Sequence, residues 1–171
     1  SDKEPVSWEA VIGHARAMGL TLSAHGKWTA PEIRWDHHAG RGTPYFAYHF
    51  AAQVVEVEVD TGTGKTDVVG IWAAHDSGKV ICPQGAYGQV YGGIAQGLGY
   101  ALTEGVDYAD GFIQTTNFDE YLIPTAMDIP DIQAIIVETR LSAGPYGAKN
   151  IAEPAMVPTG TATRNDTANA T

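Results

Sequence analysis

The chain has 171 residues, of which 44% are hydrophobic and 18% charged, a balance that suits one globular domain and excludes wholesale disorder. Ten basic residues against twenty acidic ones give a formal net charge of -10, which would repel the phosphates of nucleic acids and anionic membranes. The single cysteine, Cys82, excludes an intrachain disulfide and supplies too few thiolates for an iron–sulfur cluster, which takes about four.

The sequence shows no targeting or membrane segment. No apolar run approaches the ~18 residues of a membrane span, and the charged start from Ser1 to Pro5 lacks the basic and apolar regions of a signal peptide. A cytoplasmic location is therefore expected. The chain begins without methionine, as expected if an earlier segment has been removed.

The first half of the chain is predicted to contain a helix, a short strand and a hairpin. Ser7 can cap a helix that runs to Met18, and Gly19 is a suitable stop. Residues 21–28 are predicted as a short strand and residues 31–44 as a loop.

The hairpin follows this loop. Val55, Val57 and Val59 alternate with acidic residues, which is the period of a half-buried strand, and residues 67–74 return after the turn at residues 61–65. We therefore predict two antiparallel strands here.

The second half is predicted to contain a glycine-rich helix over residues 84–103 and two strands, over residues 112–118 and 132–141. The last segment, 159–171, contains almost nothing that can pack and is a candidate for disorder. The expected fold is one α+β domain over residues 1–171, a two-layer arrangement of helices on a mostly antiparallel sheet.

Two familiar site patterns are disfavoured by their surroundings. The run from Gly62 to Thr66 lacks the first glycine of a phosphate-binding loop, because Val59 stands there, and a hairpin turn explains it better. The adjacent residues Asp36, His37 and His38 could coordinate a metal, but neighbouring side chains seldom converge on one ion, and a solvated loop is favoured.

The glycine-rich helix carries a polar stripe. Gln89, Gly92, Gly93 and Gln96 share one face, because offsets of three, four and seven residues coincide on a helix. Each glycine costs up to ~1 kcal/mol against alanine, so something must come close to this helix. Two explanations stay open: tight packing against another helix, or amides and bare backbone that hold a polar, planar cofactor.

Glu153 is the candidate general base. It is surrounded by small and apolar residues and is followed by Pro154. Small neighbours let other groups approach, and if that approach excludes water the carboxylate becomes more basic. The plainer alternative is an exposed glutamate in a glycine- and proline-rich turn.

Five segments over residues 7–158 resemble, in order, the closing part of the molybdopterin-binding subunit of molybdenum hydroxylases, the family of xanthine dehydrogenases and aldehyde oxidoreductases. They are residues 57–62, 75–83, 88–99, 121–130 and 147–154.

The resemblance implies roles for particular residues. Glu153 would be the catalytic base that takes a proton from a molybdenum-bound hydroxyl, and Gln89 would contact the pterin of the molybdenum cofactor. The residues expected to lie close to this cofactor are Gly88, Gly147, Ala148 and Lys149. Iron–sulfur clusters, often with FAD, would sit on other domains or subunits, in agreement with the lone cysteine.

The chain also departs from the family pattern. Ala152 and Asn150 stand where the family usually has glycine, Cys82 stands where asparagine is common, and the polar run 164–167 stands where relatives carry an apolar helix. The family's subunit is several times longer, so the remainder of that subunit is an expected partner.

The expected function is cofactor binding in an oxidoreductase that hydroxylates a purine or related N-heterocycle. An aldehyde or nicotinate-type hydroxylase is the enzymatic alternative. A structural or assembly domain without a cofactor of its own is the alternative of another class.

Overall fold

The computed structural model describes residues 5–171, and the charged start at residues 1–4 lies outside the described residues. Three helices, seven strands and two short 3-10 turns are described there. In chain order they are α1 (Trp8–Ala17), β1 (Arg34–Asp36), β2 (Arg41–Thr43), β3 (Ala51–Asp60), β4 (Lys65–Asp76), α2 (Pro83–Leu102), β5 (Tyr108–Ala109), β6 (Phe112–Ile113), β7 (Asp131–Val137), the 3-10 turns Pro145–Gly147 and Glu153–Ala155, and α3 (Thr159–Ala170).

The central sheet has the strand order β3-β4-β7. Strands β3 and β4 form the predicted antiparallel hairpin, and its tight turn is held by Asp60, whose Oδ1 accepts a hydrogen bond from Gly62 N at 2.8 Å. Strand β7 joins β4 in parallel. The two small sheets, β1-β2 and β5-β6, are antiparallel, so the α+β fold with mostly antiparallel strands is confirmed.

The core lies between one face of the central sheet and helix α2. Its residues come from alternate positions of the strands and from every fourth position of the helix, as the two periodicities require. They are Val55, Ile71, Ala73, Val90, Ile94 and Leu98, flanked by Ile132 and Ala134. Ala101, one turn beyond Leu98 in α2, is exposed.

Helix α3 departs from the disorder expected for residues 159–171. It packs against β3 and α2, and it buries Thr159 and Thr163 instead of large apolar residues. The register of the β3-β4 pair shifts between Glu56 and Val57, where β4 carries the extra residue Val69, and Asp166 Oδ2 accepts a hydrogen bond from Val57 N at 2.9 Å. A polar side chain of this helix therefore satisfies a backbone amide of the sheet.

The short elements differ most from the predictions. Residues 21–28 form no strand, because no neighbouring strand pairs with them, and the expected loop at 31–44 contains the small hairpin β1-β2. The strand expected at 112–118 is limited to Phe112–Ile113, and the one at 132–141 is β7.

Helix α1 forms as predicted. Ser7 caps it through Oγ, which accepts a hydrogen bond from Ala10 N, but its apolar face is exposed. Within residues 5–171, no helix is both long enough and apolar enough to cross a bilayer.

Candidate functional site

A cleft of about 430 Å³ lies between helix α2 and the segment that carries Glu153. The fold brings three predicted site residues, Gly88, Gln89 and Glu153, to this cleft from distant parts of the chain. The remaining lining residues are Gly92, Gly93, Gln96, Ala152 and Met156. Both amides of the polar stripe therefore face the same space as the candidate base.

A larger cavity of about 1190 Å³ lies on the other side of Glu153. Aromatic residues from the segment before β3 line much of it, among them Trp28, Tyr45 and Phe46. Ala148 and Lys149 also line it. In the described part of the chain, Glu153 alone borders both cavities, so this residue stands between an amide-lined cleft and an aromatic one.

The glycines of α2 divide into two groups. A Cβ on Gly93 would lie 2.6 Å from Ala155 Cβ, and one on Gly97 would lie 2.6 Å from Thr159 Cβ, so these glycines let the segment after Glu153 pack on the helix. By contrast, Gly88 and Gly92 have nothing within 4 Å of a Cβ position. Packing within the chain explains Gly93 and Gly97. Gly88 and Gly92 instead border open space beside the cleft.

Glu153 begins the 3-10 turn Glu153–Ala155, where Pro154 provides a fixed backbone angle. The turn is closed by Met156 N, which donates to the Glu153 carbonyl at 3.0 Å. The Glu153 side chain is exposed in this chain. Any exclusion of water from its carboxylate therefore needs a group that residues 5–171 do not supply.

Lys149 is an anchor of the loop before Glu153. Its Nζ lies 2.5 Å from Asp76 Oδ2, and the side chains of this ion pair are only 8% and 9% exposed. Its backbone N–H donates to the carbonyl of Ser77 at 2.9 Å. Both donor groups have partners, so Lys149 anchors the loop, and its expected position close to the cofactor stays a prediction.

Asp76 is held in its ionised form. Burial acts to raise the pKa of this carboxyl, but the Lys149 ammonium and the backbone amides of Gly78 and Thr139 donate hydrogen bonds to it, and together they lower the pKa below its usual value. Gly147 lies close to the segment that follows Asp76, because its carbonyl accepts a hydrogen bond from Lys79 N at 2.8 Å. Gly147 itself lines neither cavity.

A buried polar network under the Glu153 turn is absent from the sequence predictions. Gln53 donates from Nε2 to the carbonyl of Ala155 at 2.9 Å, and Thr159 Oγ1 donates to Gln53 Oε1 at 2.8 Å. His75, which is fully buried, lies with Nε2 at 3.3 Å from Gln53 Nε2. Burial, with a smaller effect from His49, lowers the pKa of His75, which favours the neutral ring. The periodicity of the sequence does not reveal Gln53 as a site residue, because it occupies the same inward face of β3 as the alternating valines.

The adjacent residues His37 and His38 do not form a metal site with Asp36. Asp36 instead holds the β1-β2 turn, because its Oδ1 accepts hydrogen bonds from His38 N and Ala39 N, both at 2.9 Å. From residue 5 onward, no three His, Cys, Asp or Glu side chains group in a way that could hold a metal ion.

Comparisons with known proteins point in one direction. Residues 1–130 match the family model of the molybdopterin cofactor-binding domain. The chain is 40% identical over 109 residues to a probable xanthine dehydrogenase subunit of Bacillus subtilis, a match that covers 64% of this chain and 15% of that protein. It is 35% identical over 118 residues to the putative xanthine dehydrogenase molybdenum-binding subunit of Escherichia coli, which covers 68% of this chain and 16% of that protein.

A solved structure is similar over a larger share of the chain. The aldehyde oxidoreductase of Desulfovibrio desulfuricans superposes with a TM-score of 0.73 at 34% identity, over 88% of this chain and 16% of that one. The chain thus spans about a sixth of the length of these relatives.

Proposed function

The chain belongs to the molybdenum hydroxylases, as part of their molybdopterin cofactor-binding domain, and we propose that it forms the cofactor-binding wall of the active site with Glu153 as general base. The observation that carries the proposal is the convergence of Gln89, Gln96 and Glu153 on one cleft.

The residues of this cleft fit a molybdopterin. A flat ligand with hydrogen-bonding edges needs amide donors and acceptors and a backbone that lets it come close. Gln89 and Gln96 supply the amides, and the open space at Gly88 and Gly92 supplies the approach. When bound, the molybdenum cofactor supplies the two-electron oxidation that the side chains of this chain cannot perform.

The chain's own part in the reaction is to bind and to accept a proton. Gln89 and Gln96 orient the ligand edge through their carboxamides, which can donate and accept at once. A carboxylate oxygen of Glu153 receives a proton at the junction of the two cavities. Gly147, Ala148 and Lys149 contribute by fixing the loop that precedes Glu153.

A partner must complete this site. Because Glu153 is exposed and the apolar face of α1 has no cover within the described residues, we propose that the remainder of the molybdopterin-binding subunit packs here. Iron–sulfur and flavin components on further domains or subunits would take the electrons, since Cys82 is the chain's only cysteine.

The proposed substrate is a purine or a related N-heterocycle. The names of the Bacillus and Escherichia relatives support it. The likeness to an aldehyde oxidoreductase over 88% of the chain supports an aldehyde as the second candidate. Turnover of the complete enzyme on a panel of purines, nicotinate and aldehydes separates the two, because only the preferred class should combine high kcat with low KM.

The Glu153→Gln variant of the complete enzyme tests the base. The amide keeps the shape but cannot take a proton, so turnover per bound molybdenum should fall by at least about 10²-fold. Molybdenum content should stay near the wild-type value. Glu58→Gln, on the exposed face of β3, is the matched control and should change neither quantity.

Near-normal turnover of Glu153→Gln would sink the assignment of the base. Loss of molybdenum together with turnover would also contradict it, because Glu153 would then act in holding the cofactor.

A further inference from the structure

The turn that carries Glu153 is tied to the sheet by one side chain, that of Gln53. Strand β3 presents Gln53 on the inward face, opposite Ala73 and diagonal to His75. From there its Nε2 reaches the carbonyl of Ala155, two residues after Glu153, at 2.9 Å. Thr159 Oγ1 lies farther from the same carbonyl, at 3.5 Å, and belongs to α3, so the link to the sheet is that of Gln53.

The orientation of the Gln53 carboxamide is dictated by its partners. The carbonyl of Ala155 can only accept, so the NH₂ group must face it, and Oε1 then receives the hydroxyl of Thr159. The second N–H points to Nε2 of His75, which must accept and therefore carries its proton on Nδ1. Both N–H groups of the amide thus donate hydrogen bonds, and its oxygen accepts one.

Two features show that this network is costly to keep. His75 Nδ1 is buried and has no partner among the described residues, and such buried unpaired atoms are rare in native proteins. Gly97 lets Thr159 pack against α2, because a Cβ at position 97 would lie 2.6 Å from Thr159 Cβ. An apolar residue at position 53 would take a hydrogen-bond partner away from both His75 Nε2 and the Ala155 carbonyl, so the amide satisfies polar groups that lie beside the Glu153 turn.

The loop before Glu153 is held by the same region of the sheet. Asp76 takes the ammonium of Lys149, and His49 Nδ1 lies 3.0 Å from the carbonyl of Asn150. Residues of segment 49–76 therefore hold the chain on both sides of Glu153. They bind Lys149 and Asn150 before it and Ala155 after it.

We infer that Gln53 is a positioning residue for Glu153, which sets the carboxylate at the junction of the two cavities through its hydrogen bond to the Ala155 carbonyl. The inference rests on the proposed function of Glu153. Misplacing a reacting group by about 1 Å can cost on the order of 10²-fold in rate, so loss of this single hydrogen bond has a measurable effect.

The test uses the complete enzyme with its cofactor and partner chains. Gln53→Glu keeps the size and the acceptor toward Thr159 but places a carboxylate oxygen against the carbonyl of Ala155. Turnover per bound molybdenum should fall on the order of 10- to 10²-fold in kcat, with little change in KM. Hydrogen exchange of the peptide over residues 151–158 should become faster at unchanged molybdenum content.

Thr159 offers a second, milder pair of variants in case Gln53→Glu folds poorly. Thr159→Val keeps the shape but removes the donor to Gln53 Oε1, and should lower kcat in the same direction. Thr159→Ser restores the hydroxyl and should restore kcat toward the wild-type value. Gln114→Glu is the matched control, because this exposed amide also donates to a carbonyl, that of Phe112, and should have no effect.

A double variant separates the two claims. If Gln53 acts through Glu153, adding Gln53→Glu to Glu153→Gln should cause no further loss of turnover. Wild-type kcat and exchange in Gln53→Glu, with an inactive Glu153→Gln, would overturn the positioning role alone. An active Glu153→Gln would overturn the proposed function itself.

Discussion

Two adjacent glycines of α2 give a quantitative test of the site, because alanine should have opposite effects at Gly92 and Gly93. Helix propensity favours alanine over glycine by up to about 1 kcal/mol at both positions. At Gly92 nothing lies within 4 Å of the new Cβ. Gly92→Ala should therefore stabilise the folded chain by about 1 kcal/mol, although the methyl group enters the cleft.

Gly93→Ala meets the backbone instead. Its Cβ would stand 2.6 Å from Ala155 Cβ and 3.1 Å from Met156 N, neither of which is the end of a flexible side chain. Overpacking of this kind costs about 1–3 kcal/mol, which offsets the gain in propensity. The two variants should thus differ in free energy of unfolding by roughly 1–3 kcal/mol, with Gly92→Ala the more stable.

Urea unfolding followed by far-ultraviolet circular dichroism measures this difference. With a slope of about 2 kcal/mol/M, the midpoints should be separated by roughly 0.5–1.5 M. Molybdopterin content of the complete enzyme provides the second readout: Gly92→Ala should lower it despite the greater stability. Equal midpoints for the two variants, or full cofactor content in Gly92→Ala, would refute the division of the glycines into packing and cleft positions.

The remaining predictions concern the ion pair and the missing wall. The pKa of Asp76 is lower in the folded chain than its usual 3.8, so the stabilisation from its pair with Lys149 is complete above that value and is lost as the pH falls through the lowered one. The urea midpoint of Asp76→Asn should therefore lie below that of wild type at neutral pH and approach it in acid, and a pH-independent gap would contradict the assignment. The 171-residue chain purified alone should carry little molybdopterin, because one wall of the cleft is absent; stoichiometric pterin and metal by elemental and fluorescence analysis would show that no partner is needed.

Local patterns sufficed to predict the elements whose residues carry their own periodicity. Val55, Val57 and Val59 occupy alternate positions of a strand whatever surrounds it, and the four-residue spacing of Val90, Ile94 and Leu98 describes a helix face. Ser7 likewise needs only the first turn of α1 to act as its cap.

Helix α3 could not be predicted in this way. Its buried side chains are threonines, whose hydroxyls donate to carbonyls four residues earlier, as Thr163 does to Thr159 at 2.9 Å. The carboxylate of Asp166 accepts a hydrogen bond from Val57 N in β3, a residue far away in sequence. A polar segment becomes ordered here because of a tertiary partner that local composition does not reveal.

The candidate site was predicted only in part for the same reason. Glu153 and Gln89 were identified through the resemblance to a family, and the structure places both at one cleft. The expected position of Lys149 close to the cofactor stays a prediction, and the structure adds that its ammonium group pairs with Asp76. Gln53 was missed, because its hydrogen bond to the carbonyl of Ala155 is a contact that no spacing in the sequence encodes.

The position of molybdenum relative to Glu153 in the complete enzyme is the most direct test of the central claim. An anomalous difference map recorded at the molybdenum absorption edge would locate the metal in crystals of the assembled protein. We predict a peak at the mouth of the cleft lined by Gly88, Gln89 and Gln96, within contact range of the Glu153 carboxylate. A peak remote from that cleft, with Glu153 facing solvent, would contradict the assignment of the base and of the cofactor-binding wall together.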